Sequence, residues 1–260
     1  AMTGLSNPQA PSYFPAGAHI RCLKFFENAS LALHPGGIWR NAPPMSNELR
    51  AMPPTAAPAV TILLCTYNGA AHLVEQLASY EAQTHENWAL WVSDDGSSDA
   101  TLSILQDWAA RWQGQHAVNI VQGPRQGSAA NFMSLLCHPE LPATHVAISD
   151  QDDVWHPEKL SRALAQLAPL GAGALALYGA QSRHTDQALQ PIGTSLHPQR
   201  PPSFANALTQ NIVSGHSSVL TPTALTLVRR AGVPADIPFH DWWLYQLVSA
   251  AGGQVIVDDA

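Results

Sequence analysis

Residues 59–69 read AVTILLCTYNG, a seven-residue run from Ala59 to Cys65 that is apolar but for Thr61, and then an abrupt polar turn from Thr66. An unbroken run of this kind, ended by Asn68-Gly69, is what a strand covered on both faces requires. Working outward, Leu73, Leu77 and Tyr80 repeat at helical spacing, and Trp88–Val92 reads as a second strand. Leu102, Leu105, Trp108 and Trp112 mark one face of the next helix. A third strand fits Val118–Val121, a helix 129–136, and a fourth strand His145–Ser149. A helix is expected to open around His156-Pro157-Glu158, since proline suits a first helical turn. Ala174–Tyr178 is a fifth strand, followed by a looser region of loops and short helices. A helix from His240 and a strand over Val255–Val257 come last. Strand and helix in alternation predict an α/β fold, a mainly parallel sheet with helices on both faces.

Composition narrows the function. The 260 residues carry Lys+Arg 12 against Asp+Glu 19, a formal charge of -7, so there is no basic footprint for a nucleic-acid partner. Cys22, Cys65 and Cys137 are odd in number and far apart, which excludes a full disulfide framework and a CxxC zinc site. The apolar stretch from Ala163 to Ala180 is broken by Pro169, Gly171 and Gly173. It reads as a helix end, a turn and a strand, not a transmembrane segment. Residues 1–57 hold eight of the 21 prolines and no sustained apolar period, and are expected to form an irregular extension. Met45 and Met52 are candidate starts there, and Asn28-Ala29-Ser30 is a glycosylation sequon by pattern. Residues 58–260 would form the folded domain, with no signal peptide ahead of it and a location in the cytoplasm.

Three polar clusters fall where strands end: Thr66-Tyr67-Asn68-Gly69, Ser93 to Asp99, and Ser149-Asp150-Gln151-Asp152-Asp153. Any one of them alone is better explained as a turn with a helix cap. Three at the same end of one sheet point to a ligand, because open α/β sheets bind in the crevice beyond the strands' carboxyl ends. In Asp150-Gln151-Asp152-Asp153 the carboxylates repel one another unless a cation sits among them. Magnesium or manganese with oxygen ligands is the natural partner, its shell completed by phosphates and water. No GxxxxGK[ST] loop exists to cradle a diphosphate by main chain alone. His240-Asp241-Trp242-Trp243 is open to two readings, a helix cap with aromatic packing or a general base in a half-apolar pocket.

VTILLCTYNGA (60–70), WVSDDGSSD (91–99), ISDQDDVWHPEKL (148–160) and FHDWWL (239–244) resemble, in that order, the motifs of family 2 glycosyltransferases with a GT-A fold. SDQDDVW and HDWW are similar to the bacterial rhamnosyltransferase-like members. The resemblance implies that Thr66, Tyr67, Asn68, Asp94 and Asp95 hold the nucleotide base and ribose, with Arg125 bordering them. It implies that Asp150 and Asp152 form the DxD metal pair, Asp150 also touching nucleotide, with Asp153 nearby. Asp241 matches the catalytic base of inverting members. Trp155, His240, Trp242, Asp153 and His216 are the candidates for donor sugar or acceptor, although core packing is the favoured reading of Trp155 and Trp243. His216, in SGHSSVL, stands where many relatives carry another small residue; an acceptor or phosphate contact and a structural role are both open. Relatives also continue past the last strand with a segment that often carries a histidine closing the donor site.

The expected activity is therefore metal-dependent, inverting transfer of a sugar, such as rhamnose, from a dTDP- or UDP-linked donor. The acceptor would be a surface glycan or lipid-linked saccharide, which suits a peripheral position at the inner face of the membrane. A non-catalytic nucleotide- or glycan-binding relative is one alternative. A GT-A-like nucleotidyltransferase is the other, disfavoured because the loop after the first strand has no Lys or Arg.

Overall fold

The computed structural model describes residue 57 and residues 59–259 apart from 113, 187, 196 and 197. The expectations for the extension, the sequon and the candidate starts lie outside the described residues. β1 (Val60–Thr66) is buried along its whole length, the reason being two separate apolar layers. Val60, Ile62 and Leu64 face a core shared with α1 (Leu73–Glu81), α2 (Thr101–Arg111) and α4 (Lys159–Leu167). Leu63 and Cys65 face the other, shared with α3 (Ser128–Leu136), α6 (Pro222–Ala231) and α7 (His240–Ala250). Alternate side chains of a strand point to opposite faces, so only a strand between two helical layers is apolar throughout.

The remaining strands are β2 (Trp88–Asp94), β3 (Val118–Gln122), β4 (His145–Ser149), β5 (Ala176–Ala180), β6 (Arg183–Thr185), β7 (Pro191–Thr194), β8 (Val219–Leu220) and β9 (Gln254–Asp258). Of the nine strands among the described residues, seven form one sheet in the order β3-β2-β1-β4-β8-β5-β9, and β6 pairs with β7 in a separate hairpin. β1 pairs parallel with both β2 and β4. The chain runs outward from β1 through β2 to β3 and then returns to β1's other side at β4. The gap beyond Thr66 and Ser149 is thus the switch point of the sheet, where such folds bind ligands.

Several expectations shift. β8 lies antiparallel between β4 and β5, so the sheet is mixed but mostly parallel. The β6–β7 hairpin falls where loops were expected. α4 begins at Lys159, because the His156 carbonyl accepts from Gln83 Nε2 and the Pro157 carbonyl from Thr84 N–H, holding the preceding residues out of the helix. In α2, Leu102 is exposed and Thr101 is buried in its stead. The Thr101 hydroxyl accepts from Gly69 N–H and donates to Asp99, a polar tie that outweighs the apolar pattern.

β9 closes the far edge through Asp258. Its carboxylate receives both Nε and Nη2 of Arg162 on α4, at 2.6 and 2.7 Å, and the Tyr178 hydroxyl at 2.9 Å. The Arg162 bonds hold the Asp258 carboxyl below its usual range. This bidentate pair ties the helix that follows the acidic cluster to the last strand.

Candidate active site

The clusters at the ends of β1, β2 and β4 meet around a cleft of 630 Å³, a size that suits a nucleotide-scale ligand. Thr66, Tyr67, Asp95, Arg125, Asp150 and Asp152 line it. Tyr67 is 58% exposed, yet its backbone is fixed. The Gln151 side chain accepts from Tyr67 N–H at 2.9 Å and donates to Tyr67 C=O at 3.1 Å, a two-bond clamp across the switch point. A Cβ on Gly69 would meet Gln151 Oε1 at 2.2 Å, so this clamp requires the glycine.

Asp95 organises the Arg125 side of the cleft. Its carboxylate accepts from the N–H of Arg125 at 2.6 Å and of Gly127 at 2.8 Å. Those bonds hold Arg125 at φ 59, a conformation a side-chain-bearing residue rarely adopts. Asp94 is different. It is buried, and its oxygens accept from Thr66 Oγ1, Ser97 Oγ and the N–H groups of Gly96 and Ser97. The expected contact of Asp94 with nucleotide is corrected to a scaffold role, because every direction of its carboxylate is spent on the loop. Asn68 likewise accepts from Ser98 N–H and joins two loops outside the cleft lining.

On the β4 side, Asp150, Asp153 and His216 each offer a ligand atom, all within 4.8 Å of one another. Asp152 lines the cleft but is not part of that group; it is exposed. Burial, then the Asp153, Asp152 and Asp241 carboxylates, push the Asp150 carboxyl up to about 7, with Lys159 pulling the other way. The buried Asp153 Oδ2 has no hydrogen-bond partner among the described residues. Orphaned negative charge of this kind fits a divalent cation. Lys159 lies beneath the group. Its ammonium donates to the His216 carbonyl and sits 3.5 Å over the Trp155 ring. Burial draws Lys159 down to about 7 against the pull of Asp153 and Asp150.

Asp241 stands in the first turn of α7, where free N–H groups favour an anion. Its Oδ2 accepts from Gly215 N–H at 3.0 Å and its Oδ1 from Trp242 N–H at 2.7 Å. Gly215 adjoins His216, so one turn links the carboxylate to the Asp150 group.

Burial withdraws two sugar candidates, Trp155 and His240, while half-buried Trp242 stays open as one. Trp155 is 4% exposed, edge-on to Tyr80 at 4.9 Å, and belongs to the core. His240 is buried and stacked on Phe132 at 4.1 Å, with Nε2 unpartnered. The indole N–H of Trp242 donates to the Ala207 carbonyl at 2.7 Å, which ties the ring to α5 (Phe204–Ala207). Gln151, Lys159 and Gly215 were not singled out from sequence. Lys159 carried one available signal, being one of only two lysines in the chain and six residues beyond Asp153.

Burial lowers His240 from 6.5 to about 4. Between those values the unfolded chain takes up a proton that the native ring refuses. Stability present above pH 6.5 is therefore lost as pH falls toward 4, by about 3 kcal/mol in all. Thermal melts of His240→Phe should lack this part of the acid limb; an acid limb identical to that of the parent chain would refute the assignment.

Sheet order and the matching solved structures below give an α/β fold of GT-A type, and the chain belongs to glycosyl transferase family 2, whose profile matches residues 61–226. It is similar to dTDP-rhamnosyl transferase RfbG of Shigella flexneri, 31% identical over 104 residues, 39% of this chain and 35% of RfbG. It is also similar to the uncharacterized protein Mb1547 of Mycobacterium bovis, 26% identical over 202 residues, 75% of this chain and 55% of that protein. The chain thus spans about a third to a half of these relatives' lengths. Among solved structures, mannosyltransferase PcManGT from Pyrobaculum calidifontis, in complex with GDP-Man and Mn2+, superposes with TM-score 0.58 at 24% identity, covering 78% of this chain and 55% of that one. S. aureus TarS 1–349 in complex with UDP-GlcNAc gives TM-score 0.55 at 17% identity, covering 76% and 55%. At these identities the structural likeness is one of fold. Among the described residues no helix is long and apolar enough to cross a membrane.

Proposed function

We propose that the protein transfers a sugar from a nucleotide-diphosphate donor to an acceptor hydroxyl, inverting the anomeric carbon in a single displacement. One observation carries this reading. A nucleotide-sized cleft, a cation-sized group of donor atoms and a carboxylate anchored by two N–H groups converge at one rim of the sheet. Tyr67, Asp95 and Arg125 would receive the base and ribose, with Tyr67 presented by the Gln151 clamp. Asp150 and Asp153 would hold a divalent cation, manganese or magnesium, with Asp152 facing the diphosphate. Such a cation, when bound, supplies positive charge where the leaving diphosphate gains negative charge. Asp241 takes the proton from the attacking acceptor hydroxyl as general base. Rhamnose on dTDP is the favoured donor, supported by the similarity to RfbG. A surface glycan or lipid-linked saccharide at the inner face of the membrane is the favoured acceptor.

Calorimetry with UDP and dTDP, with and without manganese, tests this reading. Manganese should tighten nucleotide binding at least about tenfold, an effect lost in Asp150→Ala and weakened in Asp152→Ala. Binding unaffected by the metal would remove the cation from the scheme. No binding of either nucleotide would leave a non-catalytic glycan-binding relative as the better reading. A thermal-shift panel of nucleotide sugars then identifies the donor, since a ligand that prefers the native state raises its melting point.

A further inference from the structure

We propose that His216 is itself a metal ligand, completing with Asp150 and Asp153 a mixed nitrogen–oxygen site that favours manganese over magnesium and calcium. This rests on the metal-dependent reading above and assigns its ligands. The local fold selects them. Residues 151 and 152 form a turn, so Asp150 and Asp153 come to the same side while Asp152 is exposed. His216 arrives from the helical turn Gly215–Ser217, immediately before β8. Its Nδ1 lies 3.8 Å from Asp150 Oδ2. That is too far for a hydrogen bond, yet ligands about 2.1 Å from one ion sit roughly 3–4 Å apart.

The rest of the histidine is fixed for this task. Nε2 is paired with Ser182 Oγ at 2.5 Å, and the backbone carbonyl accepts from the Lys159 ammonium. Metal-binding imidazoles characteristically give the second ring N–H to an oxygen acceptor, which orients the ring and sets the tautomer. With Nε2–H directed at Ser182, the Nδ1 lone pair faces Asp150 and Asp153. A purely structural histidine could accept the Ser182 proton at Nε2 and turn Nδ1–H toward the carboxylates, but it would still leave Asp153 Oδ2 buried without a partner. A cation bound by Nδ1 and both carboxylates gives that oxygen a partner. An imidazole nitrogen in place of a third carboxylate shifts preference from magnesium and calcium toward first-row transition ions.

Pulsed electron paramagnetic resonance of the full chain loaded with manganese, with and without UDP, is the test. The parent protein should show the 14N coupling of a directly bound imidazole. His216→Ala should lose that coupling and bind manganese about tenfold or more weakly, with calcium affinity little changed. His216→Gln, which keeps bulk and polarity beside Ser182, should lose it too and serves if the alanine variant does not fold. Bound manganese without nitrogen coupling in the parent chain overturns this proposal and leaves the metal-dependent reading standing. Coupling that persists in a folded His216 variant also overturns it. If manganese binds in neither condition, both readings fall.

Discussion

Asp241→Asn should slow sugar transfer about a thousandfold and leave nucleotide-diphosphate affinity within about twofold of the parent. General-base catalysis by a positioned carboxylate is worth about 10²–10⁴ in rate, and an amide cannot take the acceptor's proton. Donor binding is spared because the cleft is lined by residues from the ends of β1, β2 and β4 and from the Arg125–Phe132 segment, not by α7. One side effect is expected. Both carboxylate oxygens accept backbone N–H groups, from Gly215 and Trp242, whereas an asparagine oxygen replaces only one of them. A stability loss of about 1–3 kcal/mol should therefore accompany the change. Melting curves separate that loss from the catalytic one, and assay well below the melting point keeps the variant folded. A rate within tenfold of the parent would remove Asp241 from the role of base.

Gly215→Ala should have the second largest effect, through position alone. A Cβ there would lie 2.7 Å from His240 Nε2 and 3.4 Å from Asp241 Cβ. The His240 ring has nowhere to go, being stacked on Phe132 in the core. The turn must therefore move, carrying the N–H that anchors Asp241 and the neighbouring His216 with it. Overpacking of this kind costs about 1–3 kcal/mol of stability. A displacement near 1 Å at the reacting groups costs about a hundredfold in kcat. Gly173→Ala is the matched control, since a Cβ there meets nothing within 4 Å. Equal kcat in the two variants would show that the Gly215 turn does not position the base.

Legibility followed the physics of each element. β1, β2 and β4 were readable because a strand between two helical layers must be apolar throughout, and Val60–Thr66 is buried at every position. β8 was not readable as a sheet member. It is two residues long, and its place between β4 and β5 comes from partners distant in sequence. The β6–β7 hairpin was missed because all its residues are exposed, leaving no apolar alternation to see. In the site, Tyr67, Asp95, Arg125, Asp150 and Asp152 were named from motif and line the cleft. Asp94 and His240 belong to the same motifs, but hydrogen bonding and burial withdraw them from it.

The order of strands and helices, the rim where polar residues gather and the acidic character of that rim are written in the chain itself, since they depend on local periodicity and on which residues follow each strand. Which of the neighbouring carboxylates acts together is decided only in three dimensions. A turn places Asp153, not Asp152, beside Asp150, a distant histidine joins them, and the glycine turn that carries the histidine donates to Asp241. Those choices rest on contacts between residues 26 and 66 positions apart or on the local turn's geometry, neither of which a linear pattern encodes.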